Sequence, residues 1–230
     1  MNDTNKIIGP RERTFARWLK FAFSRVTLLR AMQYEVLPAL LLQGRVLDIG
    51  GGKNVGYRSL LSVNGMFESV NISKAMEPTH ICDLNRSLPM QNDTYDHVIS
   101  LNTFEHLIDD KLAVMEAVRV LRPGGSFHFL VPFLYQVHAS PSDYVRRTVF
   151  WWIETLPDTV VRSLVVEPLV WDRISTAYSF IGHGKLGRAL KPFILFVGVV
   201  TRWIRISLGK PASHPNDSHV PIGYYISGIK

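Results

Sequence analysis

The chain has 230 residues, 47% apolar and 20% charged, with 16 glycines and 13 prolines scattered without period. This excludes a disordered or collagen-like chain, and a chain of this size buries on the order of 70% of its unfolded surface without staples. The net charge of +7 is unevenly laid out. Residues 1–47 carry eight Lys/Arg against three Asp/Glu, residues 48–172 carry ten against fifteen, and residues 173–216 carry seven with no acid. A nucleic-acid enzyme keeps its basic surface around the chemistry, so an acidic middle between basic flanks points away from nucleic acid and toward ends that lie on an anionic surface.

Met1 to Arg13 is polar and has no apolar h-region, so no signal peptide is expected. The longest apolar run, Phe193 to Val200, is far short of the roughly 20 residues a spanning helix needs. A cytoplasmic protein follows. The only cysteine, Cys82, lies in an apolar run without basic neighbours and reads as a small core residue. Without further thiols or a paired histidine spacing, no metal site is expected.

In chain order, residues 1–44 read as a basic amphipathic helical extension, and short apolar runs then alternate with helical segments. Arg45 to Gly50 predicts a buried strand ending in a glycine turn, Phe67 to Ile72 a second strand, His80 to Cys82 a short third and Tyr95 to Leu101 a fourth. Asp110 to Leu121 has apolar residues at 112, 114, 115, 118 and 121, a helical spacing that Arg122-Pro-Gly-Gly125 stops. Ser126 to Val131 predicts a fifth strand. This alternation predicts a Rossmann-like, doubly wound α/β sheet over 45–230, mostly parallel, with its ligand at the carboxyl ends of the strands. A basic amphipathic insertion at about 173–216 precedes a final antiparallel edge strand within His219 to Ile226.

Three glycines, Gly50 to Gly52, directly follow the first of these strands, and glycine lets backbone approach a ligand closely at a helix N-terminus. The dinucleotide fingerprint is not met, since Val55 stands where its third glycine belongs, and Lys53-Asn54 lacks the Walker spacing and hydroxyl. Val46 to Gly52, Tyr95 to Leu107 and Val118 to Gly125, in that order, resemble the class I S-adenosylmethionine-dependent methyltransferases, in particular the methyltransferase type 11 branch. The resemblance runs from about Val46 to Phe133. It implies S-adenosylmethionine as cofactor, with Asp48, Gly50 and Gly52 around its methionine part, Asp83 at the adenine amino group with Leu84 beside it, and Asn102 and His106 nearby. Where the family has an acid on the ribose hydroxyls this chain has Asn71, which can bond both hydroxyls without charge assistance, helped by Ser73. Read without the family, Asp48 is equally a cap of the turn and His106 equally structural.

Beyond the fifth strand, His138, Asp143, Tyr144, Arg146 and Arg147 cluster in one loop. Its pattern H-x-x-x-P-x-D-Y-x-R-x-T resembles type 11 enzymes of surface-polysaccharide biosynthesis, which implies a glycan or lipid-linked sugar acceptor. His138 is the candidate base, because its ordinary pKa needs little tuning, or else a brace. Asp143 could orient it, act itself, or brace the loop by pairing with Arg146, which could otherwise take a carboxylate or phosphate of the acceptor.

The flanks interleave Phe15, Trp18, Phe21 and Phe23 with Arg17, Lys20 and Arg25, and Phe193 to Val200, Trp203 and Ile206 with Arg188, Lys191, Arg202, Arg205 and Lys210. Such segments lie at membrane interfaces or pack as ordinary covering helices. The resulting expectation is O-methylation of a glycan or lipid-linked sugar at the inner membrane face. The alternatives are a methyltransferase for a small lipophilic metabolite such as a quinone precursor, and a non-catalytic cofactor- or lipid-binding scaffold.

Overall fold

The computed structural model describes residues 5–8, 20–24, 26–139, 141–170, 172–181, 185–210 and 220–230. Eight strands form one sheet: β1 (Asn5–Ile7), β2 (Leu41–Ile49), β3 (Ser62–Asn71), β4 (His80–Ile81), β5 (Tyr95–Leu101), β6 (Leu121–Pro132), β7 (Ser163–Leu169) and β8 (Gly223–Ile229). Their spatial order is β1-β7-β8-β6-β5-β2-β3-β4. All neighbours are parallel except β8, which runs antiparallel to both β6 and β7. The final strand is thus antiparallel as expected but lies inside the sheet, where it bonds on both sides. β7 and β1 beyond it escaped the sequence reading, β7 because its Ser163-Leu-Val-Val-Glu-Pro-Leu169 has no glycine turn or alternation to mark it.

The helices are α1 (Leu28–Val36), α2 (Asp110–Val120), α3 (Val149–Thr155), α4 (Arg173–Ile181) and α5 (Lys185–Ser207). Thr27 caps α1 by accepting from the Arg30 amide, and Asp109 caps α2 by accepting from the Leu112 amide at 3.0 Å. Because side chains alternate across a strand, adjacent residues feed opposite cores. Leu47, Val98 and Phe129 join Val114, Ala117 and Trp152 on one face, while Val46, Ile99 and Leu130 join Met32, Val36 and Leu195 on the other. Burial on both faces makes the central strands continuous apolar runs.

The described part of the amino-terminal flank is largely core. Phe21, Ala22, Leu28 and Leu29 are buried and cover the sheet, while Phe23 is exposed. Phe15, Arg17, Trp18 and Arg25 lie outside the described residues. Cys82 is partly buried against the first core, and burial raises its thiol pKa, as suits an inert packing residue.

Candidate functional site

Between β2 and β5 the chain order of the sheet reverses, which opens a crevice at the carboxyl ends of the strands. There the structure holds a cavity of about 810 Å³, within the range of small-molecule sites. Its wall takes Gly50 after β2, Asn71 to Ser73 after β3, Asp83 to Asn85 after β4, Leu101 to Thr103, His106 and Leu107 after β5, and Arg30 and Tyr34 from α1.

The glycine turn is held from beneath. Gly50 has φ +83°, and a Cβ there would collide with the Thr103 side chain. Gly52 is buried behind the wall, where a Cβ would meet the Met76 carbonyl at 2.2 Å. Asp48 is fully buried under the turn rather than on the cavity surface, and it accepts a 2.8 Å bond from the Tyr57 hydroxyl on Oδ2 while Oδ1 has no partner. Burial pushes its carboxyl up to about 7, against the pull of the Tyr57 bond and of Arg58. Asp48 therefore meets the cavity only through Tyr57, a wall residue that sequence reasoning missed.

Asn71 does different work from that expected. Its Nδ2 donates to the Gly50 and Gly51 carbonyls at 2.6 and 3.1 Å, and its Oδ1 accepts from the Ser73 amide at 2.9 Å. Both amide hydrogens are spent on clamping the turn, so Asn71 has only acceptor capacity left for a ligand. Asp83 stands on the wall with Oδ1 fixed by the Asn85 amide and side chain, bonds that hold its carboxyl below the ordinary value. Leu84 adjoins it, buried. Asn102 adopts the left-handed region (φ 50°), and its side chain pairs both ways with Gln33 of α1 at 2.6 and 2.9 Å. Gln33 is fully buried. A polar residue on the apolar stripe of a helix was its one signal in the sequence.

The loop after β6 reaches the same end of the sheet. Tyr144 donates its amide to the Glu105 carbonyl at 2.8 Å, and Arg147 forks onto Asp110 at 2.7 and 2.8 Å. His106 lines the cavity, and its ring meets that of His138 edge-on at 5.0 Å. Asp143 is only 3% exposed, gripped by both Arg146 guanidinium nitrogens and by the His138 amide at 3.0 Å. Those bonds outweigh burial and bring its carboxyl down to about 2. Asp143 and Arg146 are paired with each other and so brace the loop. Glu105 was never singled out. It is 3% exposed, neither carboxylate oxygen receives a hydrogen bond, and burial pushes it up to about 8.

Residues 47–129 match the family profile of a methyltransferase domain. No curated protein matches significantly. Among solved structures, the chain is similar to an S-adenosylmethionine-dependent methyltransferase from Thermotoga maritima, with a TM-score of 0.53 and 15% identity over 94% of each chain. It is also similar to a chain of the Haloferax volcanii complex between the Trm112 methyltransferase activator and a protein described as a methyltransferase, with a TM-score of 0.54 and 18% identity over 93% of this chain and 88% of that one. A third likeness is to phosphoethanolamine N-methyltransferase 2 of Haemonchus contortus, with a TM-score of 0.52 and 15% identity over 86% of this chain, which spans 52% of that one. At these identities the structures speak for the fold. The matched segment is similar to a methyltransferase domain, and the sheet order is that of a Rossmann-like fold. The match takes in the glycine turn and stops short of the His138 loop.

Proposed function

We propose that the protein binds S-adenosylmethionine in this cavity and methylates a hydroxyl of a glycan or lipid-linked sugar presented at an anionic membrane surface. The observation that carries the reading is the junction of the glycine-turn cavity with the His138 loop through His106. The residues suit the cofactor: the clamped turn offers backbone at Gly50, Ile72, Met76 and Leu84 give an apolar slot, and the Asp83 carboxylate stands ready to accept from an exocyclic amine. The bound cofactor supplies a sulfonium methyl open to in-line displacement. As the acceptor oxygen bonds to that carbon, the carbon–sulfur bond breaks and its electron pair leaves with a neutral thioether. The chain must align the acceptor and remove its proton, for which alignment gives several kcal/mol and proton removal roughly 10²- to 10⁴-fold. His138, whose Nδ1 is anchored between Gln136 and Asp143, is the residue on which proton removal depends.

The membrane part rests on α5. Its inner side buries Leu195 and sets Gly198 against Asp172, while Phe193 (66% exposed), Phe196, Trp203 (67%) and Ile204 form an outward apolar stripe. No helix among the described residues is long and apolar enough to cross a membrane. Lys191 does not share in the surface: it is buried, donates to the Ser24 and Val26 carbonyls at 2.9 and 3.3 Å, and drops to about 8 through burial. Val26 directly precedes the cap of α1, the helix that brings Arg30 to the cavity wall. A pooled-acceptor assay with radiolabelled methyl donor tests the reading. Label in lipid-linked glycan supports it, whereas label confined to quinone precursors, or cofactor binding without any product, overturns it.

A further inference from the structure

We infer that Glu105, His106 and His138 form a binding site for a divalent transition-metal ion at the acceptor end of the cavity. One carboxylate oxygen and one nitrogen from each ring lie within 4.8 Å of one another. His106 Nε2 is 3.7 Å from Glu105 Oε1, close to the roughly 3.4 Å that two ligands about 2.1 Å from a tetrahedral ion subtend.

Three features point to an ion rather than to ordinary packing. Glu105 is nearly inaccessible, yet neither of its oxygens receives a hydrogen bond, a costly state that a cation would relieve. Each histidine is also oriented from its other nitrogen. His106 Nδ1 donates to the Ser142 carbonyl at 2.6 Å, and His138 Nδ1 faces the Gln136 carbonyl and Asp143 Oδ2, both at 3.2 Å. That leaves Nε2 as the free lone pair on both rings, and anchoring through the opposite nitrogen is how metal-ligating histidines are fixed. Finally, two imidazoles and one carboxylate are the ligand set of catalytic zinc and related ions, which keep open positions for water or substrate. His106 borders the cavity, so such positions would face an entering acceptor. The 32 residues that separate His106 from His138 explain why no ligand spacing was visible in the sequence.

This inference rests on the proposed methyl transfer, in which His138 then acts through the ion: as its ligand it holds the ion that acidifies the acceptor hydroxyl, the proton leaving to bulk water. The ion can be tested without cofactor or acceptor. The full chain, stripped with chelator, is titrated with Zn²⁺ by calorimetry and with Co²⁺ by visible absorption. Uptake of one ion per chain is expected, with intense Co²⁺ bands of a four- or five-coordinate nitrogen–oxygen site. Glu105→Gln, nearly isosteric, and His138→Ala should each weaken uptake at least tenfold while circular dichroism stays native, and Asp83→Ala should leave it unchanged. Absence of stoichiometric uptake, or uptake indifferent to both ligand variants, overturns the inference. Full-rate methyl transfer in excess chelator also overturns it and leaves the proposed function standing, whereas specific ion uptake without transfer to any acceptor upholds the site and removes that function.

Discussion

Replacing Tyr57 by Phe removes the only hydrogen bond that reaches the Asp48 carboxylate, since Oδ1 already lacks a partner. The cost depends on whether Asp48 is charged. With a folded pKa of about 7 and an unfolded one near 3.9, Asp48 binds more protons folded than unfolded across that interval. Its effect on stability is therefore most favourable below pH 3.9 and is lost as pH rises through 7, a swing of up to about 4 kcal/mol. At pH 5 the lost bond joins a neutral pair, for a cost of about 0.5–1.5 kcal/mol; at pH 8 it is a bond to a buried anion, for a cost of about 1.5–3 kcal/mol. Urea denaturation of wild type and Tyr57→Phe at both pH values isolates this difference, because every other titrating group cancels in each pairwise comparison. The variant should be more damaged at pH 8 by about 1–2 kcal/mol. Equal losses at the two pH values would refute the placement of a proton on Asp48.

Asp83→Ala should weaken cofactor binding, measured calorimetrically, at nearly unchanged stability, because the side chain hydrogen-bonds Asn85, makes only a long, exposed ion pair with Arg86 at 3.8 Å, and stands on the wall; unaltered affinity would put the adenine elsewhere. His128 is half-buried between Ser126 and Tyr225 and lowered to about 4 by loss of solvation, so its contribution is complete above pH 6.5 and lost as pH falls through 4. His128→Gln should accordingly lose less stability than wild type between pH 7 and 4, by up to about 3 kcal/mol, and parallel losses would count against this. Sedimentation with vesicles should give binding to anionic lipid that fades with salt and drops in Phe193→Ser/Trp203→Ser; equal partitioning to neutral vesicles would leave no electrostatic part.

Local pattern carried far in this chain. Val46 to Gly52 reads as strand and glycine turn because burial on both faces leaves an uninterrupted apolar run, and positive φ at Gly50 demands the residue found there. Asp110 to Leu121 reads as a helix from its spacing and its Pro-Gly stop, and the structure adds the Asp109 cap and ends the helix at Val120. The wall residues Gly50, Asn71, Asp83, Leu84, Asn102 and His106 were named through the family resemblance, and they stand at the carboxyl ends of the strands, on the cavity wall.

What one dimension could not supply is the direction in which a polar side chain spends its bonds. Asn71 stands where the pattern places it, but only the packed turn shows its amide consumed by Gly50 and Gly51. Asp143 and Arg146 at a spacing of three suggest a brace or a catalytic pair, and the packed loop shows them bound to each other. Glu105 carries no signal of its own in the sequence, and its burial comes from the sheet and the loop closing over it. Periodicity records which face of an element is apolar, and so the chain's own order specified strands, turns and the sheet class. Long-range closure determines which polar groups lose water together, and it alone brought residues 33 and 102, 48 and 57, and 105, 106 and 138 into contact.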